Sequence, residues 1–352
     1  MSICSRAALL AAATMIIAQA TSLAAAAPKT TFDQAPYLHA QRLIDIGGRR
    51  LNLYCTGHGS PTVVLEAGGG DDMLDWRFVQ PRVAKLTRVC SYDSAGYGFS
   101  DPGPVPRDAS ASVADLHALV ARGGIARPFV LAGYSEGESY ARVYADRYLH
   151  DLAGLVLVEP AFEGQEEPRA DAAVPILAQN AAQMAIIDRA CAAAAKGDGL
   201  KPHSRMYEAC APLPVPEYPA ALNAIVLQQS LRPGFWKDYE SENDETSRTT
   251  TPAAVRSEQR SYGSLPLALL TVKNELPDGA LPPAQQRTLQ KILRDGRASI
   301  TSYSSRSSHV QIGGCNHGDI ATRCAPGVVS AIDQVVDQAR RSVRARAASQ
   351  SR

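Results

Sequence analysis

The stretch "PFVLAGYSEGESYARVYADRYL", residues 128–149, decides how the rest of the chain is read. Its first part is a short apolar run of the kind that forms a buried strand, and its last part has the spacing of a helix. Between them stands Gly133-Tyr134-Ser135-Glu136-Gly137, the pattern G-x-S-x-G. Glycine and serine are common, so the bare pattern is weak. Placed between a strand and a helix it becomes strong, because that chemistry needs a strand, a sharp turn and a helix in sequence. The turn crowds its neighbours so closely that side chains at the two glycine positions would clash. The serine oxygen is then presented above the edge of a sheet, at the start of a helix. Glu136 and Glu138 fall in the first turn of that helix, where the dipole favours negative charge by about 0.3–1 kcal/mol. Alternatively, Glu136 attracts an amine to the site or disfavours anionic substrates.

Outward from this stretch, short Val-, Leu- and Ile-rich runs alternate with helical segments. "RLIDI" and "RRLNLYC" form an antiparallel pair turned at Gly47-Gly48. "PTVVLEAGGG", "RVCSY", "PFVLAGY", "AGLVLVEP", "LPLALLTV" and "SSHVQIGG" supply six further strands. "SVADLHALVARGGI" is a helix that Ser112 can cap and Gly123 ends; "QQRTLQKILRDG" is one ended by Gly296; "GVVSAIDQVVDQARRSV" is a final amphipathic helix. Fully apolar strands alternating with helices imply an α/β fold: a mostly parallel, doubly wound eight-stranded sheet covered on both faces.

The core is assigned to residues 28–160 and 265–342. Residues 161–264 interrupt the alternation. They are rich in Ala and Pro, carry the acidic run "DYESENDET", and are too long for a bare loop, so a largely helical cap is expected there, inserted after the sixth strand. Residues 343–352 are a basic tail expected to be disordered.

The chain has 352 residues, 45% of them hydrophobic, which suffices for one large core with an insertion. A formal net charge of +1 gives no global field to attract nucleic acid or anionic membrane. Residues 1–27 run from Arg6 through an apolar stretch to small residues, the order of a secretory signal peptide. The apolar stretch is short for a membrane span, so a secreted or periplasmic protein without stable membrane insertion is expected once the signal is removed; a retained amino-terminal anchor is the other reading. Apart from Cys4 there are six cysteines, an even number that suits an exported, disulfide-bonded chain. No C-x-x-C spacing is present, so no metal site is expected. "AGGG" lacks both G-x-G-x-x-G and the P-loop Lys-Ser/Thr pair, which argues against a nucleotide; no cofactor is expected.

At this point the chain resembles the α/β-hydrolase family, over roughly residues 39–339. The resemblance rests on "LEAGGGDDMLDW", "SYDSAGYGFSD", "GYSEG", "LVLVEP" and "GGCNHGDI", in that order after or within successive strands. It is greatest to the capped esterase, lipase and peptidase-like members. It implies that Ser135 is a nucleophile. A serine hydroxyl needs a base, and histidine is the usual one. The family keeps its histidine in the loop after the last strand, which points to His317; His309 begins that strand and would sit at its far end. The acid is open between two residues. Glu159 ends the sixth strand and is favoured; Glu275, with Asp278 nearby, follows the seventh strand, where the family most often keeps its acid. Glu159 could instead only pin the entry to the cap. The oxyanion donors would be the backbone N–H groups of Glu136 and Gly69.

If the family's sheet order holds, the second strand lies beside the fourth, and Cys55 can reach Cys90. Cys315 and Cys324 flank His317 and would restrain its loop, and Cys191 and Cys210 would tie two cap segments; free buried thiols are the other reading. The function implied is hydrolysis of a small carboxylic ester through an acyl-enzyme. Amide or aminopeptidase-like cleavage and cofactor-free haloperoxidation would use the same residues. Epoxide hydrolases and haloalkane dehalogenases of this fold attack with an Asp, where this chain has Ser135. From another class, a non-catalytic binding protein on the same scaffold would have no need of an intact set of side chains.

Overall fold

The computed structural model describes residues 32–160, 175–196, 200–248, 261–273 and 281–350. The candidate signal segment, Glu275 and Asp278 lie outside them. Everything below belongs to one unit that begins at Asp33.

Eight strands form one sheet: β1 (Arg42–Asp45), β2 (Arg50–Thr56), β3 (Val63–Glu66), β4 (Val89–Tyr92), β5 (Phe129–Tyr134), β6 (Leu152–Val158), β7 (Leu267–Val272) and β8 (Ser307–Ile312). Their order is β1-β2-β4-β3-β5-β6-β7-β8, so the second strand does lie beside the fourth. The pairs β1–β2 and β2–β4 are antiparallel and the rest are parallel. Gly47 and Gly48 turn the first hairpin with φ of 117° and 91°, values open to glycine at little cost.

Helices cover both faces, as continuous apolar strands demand. On one side α2 (Ala109–Arg122) and α3 (Glu136–Tyr148) pack on the sheet. Phe129 and Leu131 of β5 point to the same core as Leu116, Leu119 and Tyr144. On the other, α1 (Gln80–Val83) and the carboxy-terminal helix cover Val130 and Ala132 of the same strand, together with Val83, Ile332 and Val336. Burying each such aliphatic side chain is worth about 1.5–3 kcal/mol. Among the described residues, the helices between β6 and β7 are α4 (Pro175–Lys196), α5 (Arg205–Cys210), α6 (Ala220–Ser230) and α7 (Pro233–Arg248). Then come α8 (Pro283–Thr301) and α9 (Ala325–Gln350).

Three element ends differ from expectation. α2 starts earlier than Ser112 would place it, with Asp108 as its cap, accepting from Ala111 N–H at 2.8 Å. α8 runs through Gly296 to Thr301, because Leu289, Leu293 and Ile300 continue one buried stripe past the glycine. α9 continues to Gln350, so the basic segment from 343 is helical to that point; its alanines and arginines are strong helix formers that extend an amphipathic helix already begun.

Candidate active site

The turn after β5 has the strained geometry that its sequence implies. Ser135 sits at φ 54°, ψ −123°, a region costly to any residue with a side chain, and its N–H donates to Val158 O at 3.0 Å. A Cβ on Gly133 would stand 2.3 Å from Gly137 O, and one on Gly137 2.2 Å from Ala67 O. Backbone thus meets backbone at both glycines, and neither position has room for a side chain.

His317 lies on the loop after β8, in a single 3₁₀ turn capped by Asn316, whose N–H donates to Asp319 Oδ1 at 2.6 Å. Two further ties hold this loop. Tyr134 donates its hydroxyl to His317 O at 2.6 Å, and a disulfide joins Cys315 to Cys324. The imidazole Nε2 stands 2.9 Å from Ser135 Oγ. If Nε2 accepts from the serine, Nδ1 carries the proton. Nδ1 faces Glu159 Oε2 at 3.5 Å, an ion-pair distance longer than a strong hydrogen bond. Such contacts are often loose in ligand-free sites and tighten with substrate.

Glu159 follows β6 directly and is buried. Its φ of 52° is again left-handed. Its N–H donates to Leu270 O at 2.8 Å, and its Oε1 accepts from Val272 N–H. The end of β7 thus aims this carboxylate at the histidine. His309 is elsewhere: it is not the first residue of its strand but the third of β8, opposite Leu269, bonded through Nε2 to Thr271 Oγ1 at 2.9 Å. Burial and the charge of Arg297 push its pKa down.

The glycine-rich loop after β3 lies against the serine. A Cβ on Gly68 would stand 3.2 Å from Ser135 Cβ, and one on Gly69 3.4 Å from Glu136 Cβ. The structure therefore brings Ser135, His317, Glu159, Gly69 and Glu136 together. Acids crowd the same loop: burial pushes Asp71 and Asp75 up, and Asp72 up to about 8. Glu66, at the end of β3, is fully buried and pushed up to about 8, while the Tyr92 hydroxyl that donates to it works the other way. Glu138, in the first turn of α3, is buried in an ion pair with Arg142, at 2.9 Å from Nε and 3.1 Å from Nη2. Its structural role is therefore larger than a dipole effect.

Two residues near the site carry no motif. Tyr134 is a variable position of G-x-S-x-G, yet its hydroxyl anchors the histidine loop. Glu242 lies in the acidic run of the insertion, and it is buried. The interleaved Phe235, Trp236 and Tyr239 were the available signal that this helix packs. The disulfides Cys55–Cys90, Cys191–Cys210 and Cys315–Cys324 pair as expected, the first from the sheet order that the resemblance implied and the other two from their places in the sequence; Cys55 and Cys90 are direct cross-strand partners.

The chain is similar to known proteins in three ways. A sequence model of the alpha/beta hydrolase family matches residues 63–319. Among curated proteins, "Probable transporter efuK" of Hormonema carpetanum is 33% identical over 133 residues, 34% of this chain and 18% of that protein. The 2-hydroxy-6-oxo-2,4-heptadienoate hydrolase of Pseudomonas putida is 31% identical over 121 residues, 33% of this chain and 43% of that one. The chain thus spans less than half the length of these relatives. Among solved structures, the epoxide hydrolase CorEH superposes with a TM-score of 0.59 at 18% identity, covering 84% of this chain and 97% of that one. An esterase from Thermogutta terrifontis does so with 0.50 at 19%, covering 85% and 99%. At such identities these structures speak for the fold alone. The family model spans well over half of the sequence, and the chain belongs to the alpha/beta hydrolase family.

Proposed function

We propose that the protein is an exported serine hydrolase that cleaves small carboxylic esters through an acyl-enzyme on Ser135. The observation that carries this reading is the 2.9 Å approach of His317 Nε2 to Ser135 Oγ at a left-handed strand-to-helix turn. In this reading Oγ attacks the ester carbonyl carbon while its proton passes to Nε2. The carbonyl oxygen becomes negative and accepts from the N–H groups of Gly69 and Glu136. Collapse expels the alcohol, which takes the proton from the imidazolium. Water then attacks the acyl carbon, His317 again removing a proton; the bond from the acyl carbon to Oγ breaks, Oγ takes that proton back from the imidazolium, and the carboxylic acid leaves. Glu159 holds the proton-bearing Nδ1 edge and offsets the charge of the imidazolium. The helices between β6 and β7 form the cap over this site, within 161–264. No metal and no cofactor takes part in these steps. Export is supported by the three disulfides, which persist in oxidising compartments. Among the described residues no helix is long and apolar enough to cross a membrane.

A fluorophosphonate probe tests the reading. It should label the wild type and fail to label Ser135→Ala, and hydrolysis of p-nitrophenyl esters should be lost in the same variant. An unlabelled wild type, or equal labelling of both, refutes the assignment. Aminoacyl amides assayed beside the ester panel decide between ester and amide preference.

A further inference from the structure

Helix α7 meets the core through one face, and the contacts are close. Asp238 Oδ2 accepts from Gly103 N–H at 2.6 Å, and Ser241 Oγ accepts from Arg107 N–H at 2.9 Å. Tyr239 lies on the glycine-rich loop so tightly that a Cβ on Gly70 would stand 2.7 Å from its Cε2. One turn on, Glu242 reaches three separate pieces of the core. Its Oε1 accepts from the Tyr140 hydroxyl of α3 at 2.7 Å. Its Oε2 accepts from the Tyr97 hydroxyl, in the loop after β4, and from Gly70 N–H at 3.3 Å.

Two of those pieces carry the groups assigned above to the oxyanion hole. Gly70 directly follows Gly69, and Tyr140 is one helical turn beyond Glu136. One buried carboxylate on the helix before β7 therefore ties the loop that bears one donor to the helix that bears the other. We propose that Glu242 is a positioning residue: it sets the spacing of the two oxyanion donors, so that docking of α7 completes the site. This rests on the serine-hydrolase reading. A buried anion this near developing negative charge would oppose it if bare. Here Tyr97, Tyr140 and Gly70 each donate to the carboxylate, and the Arg107 guanidinium supplies an opposite field. What remains is a rigid strut. Misplacing a donor by a fraction of an ångström weakens transition-state stabilisation more than substrate binding, so the effect belongs in kcat.

The experiment measures fluorophosphonate labelling rate, kcat and KM on p-nitrophenyl esters, and thermal melting, for the wild type, Glu242→Ala, Glu242→Gln, Tyr140→Phe and Ser241→Ala. Glu242→Ala should lower kcat and the labelling rate at least about tenfold, with KM within about twofold. Glu242→Gln should recover most of the rate, since an amide oxygen can still accept from Gly70. Ser241→Ala, which loosens α7 without touching the glycine-rich loop, should keep kcat. If Glu242→Ala does not fold, Tyr140→Phe decides, with an expected several-fold loss in kcat alone. A labelled wild type whose Glu242 and Tyr140 variants keep kcat, or lose rate only as Ser241→Ala does, overturns the inference. An unlabelled wild type instead overturns the serine-hydrolase reading.

Discussion

Ser135 and Glu159 both hold left-handed backbone conformations, and both stand where a parallel strand ends. Such conformations cost roughly 1–3 kcal/mol each for residues with side chains. They persist because neighbouring strands fix them: Ser135 N–H is held by Val158 O and Glu159 N–H by Leu270 O. Motif and chain order pointed to Ser135 and His317, which the structure places 2.9 Å apart. The proposed acid was less legible, because the choice between Glu159 and Glu275 depends on which carboxylate a neighbouring strand aims at the histidine. Sequence distance carries no such information. If Glu159 orients the imidazole, Glu159→Gln should lower kcat by about 10³–10⁴ while Glu275→Gln stays near wild type, as steady-state ester hydrolysis would report. Near-equal losses in the two variants, or a loss only at Glu275, would move the role. Tyr134 and Glu242 were illegible for a different reason: each makes its contacts through one hydroxyl or carboxylate placed by tertiary packing, with no spacing to reveal it.

At the scale of elements, strands and helices followed from period and punctuation, while their ends did not. Ser112 lies inside α2 because Asp108, one turn earlier, already satisfies the free N–H of Ala111. Asp108→Ala should therefore cost about 1 kcal/mol of stability, measured by denaturant unfolding, and Ser112→Ala less. Gly296 stays within α8 because a buried apolar stripe outweighs the ~1 kcal/mol that a helical glycine costs. The acidic run of α7 gave no sign of its packing. Asp238 and Glu242 are four residues apart and face the core, where backbone N–H groups and tyrosine hydroxyls receive them. A period-based reading sees only charge there, since nothing local marks which carboxylates will meet donors.

At the scale of the molecule, sheet order was legible through the resemblance, and with it the Cys55–Cys90 bridge, because that order sets the second strand beside the fourth. The electrostatics of the interior were not. Glu66 is fully buried beside Tyr92 and pushed up to about 8. Between the ordinary value near 4.5 and about 8 the folded form keeps this proton and the unfolded chain releases it. Glu66 therefore makes stability fall as pH rises through that window, by up to about 1.4 kcal/mol per pH unit, and adds no pH dependence below it. Urea unfolding at pH 5 and pH 8.5 should show this decline in the wild type and a smaller one in Glu66→Gln. An unchanged difference between the two pH values would assign it to other groups, Asp72 first.

The distribution of the disulfides has a consequence for the molecule as a machine in pieces. Cys55–Cys90 lies wholly before β6 ends, Cys191–Cys210 wholly between β6 and β7, and Cys315–Cys324 wholly after β7. None of them joins the part bearing Ser135 and Glu159 to the part bearing His317, 182 residues beyond the serine. Those parts are held across the sheet by the parallel ladder of β6 with β7. A single peptide-bond cut between these two strands, made outside the loop that Cys191–Cys210 closes, would leave Ser135 and His317 on separate polypeptides with no disulfide between them. Turnover would then require the two fragments to find each other, which would make the nicked protein a natural split reporter of proximity.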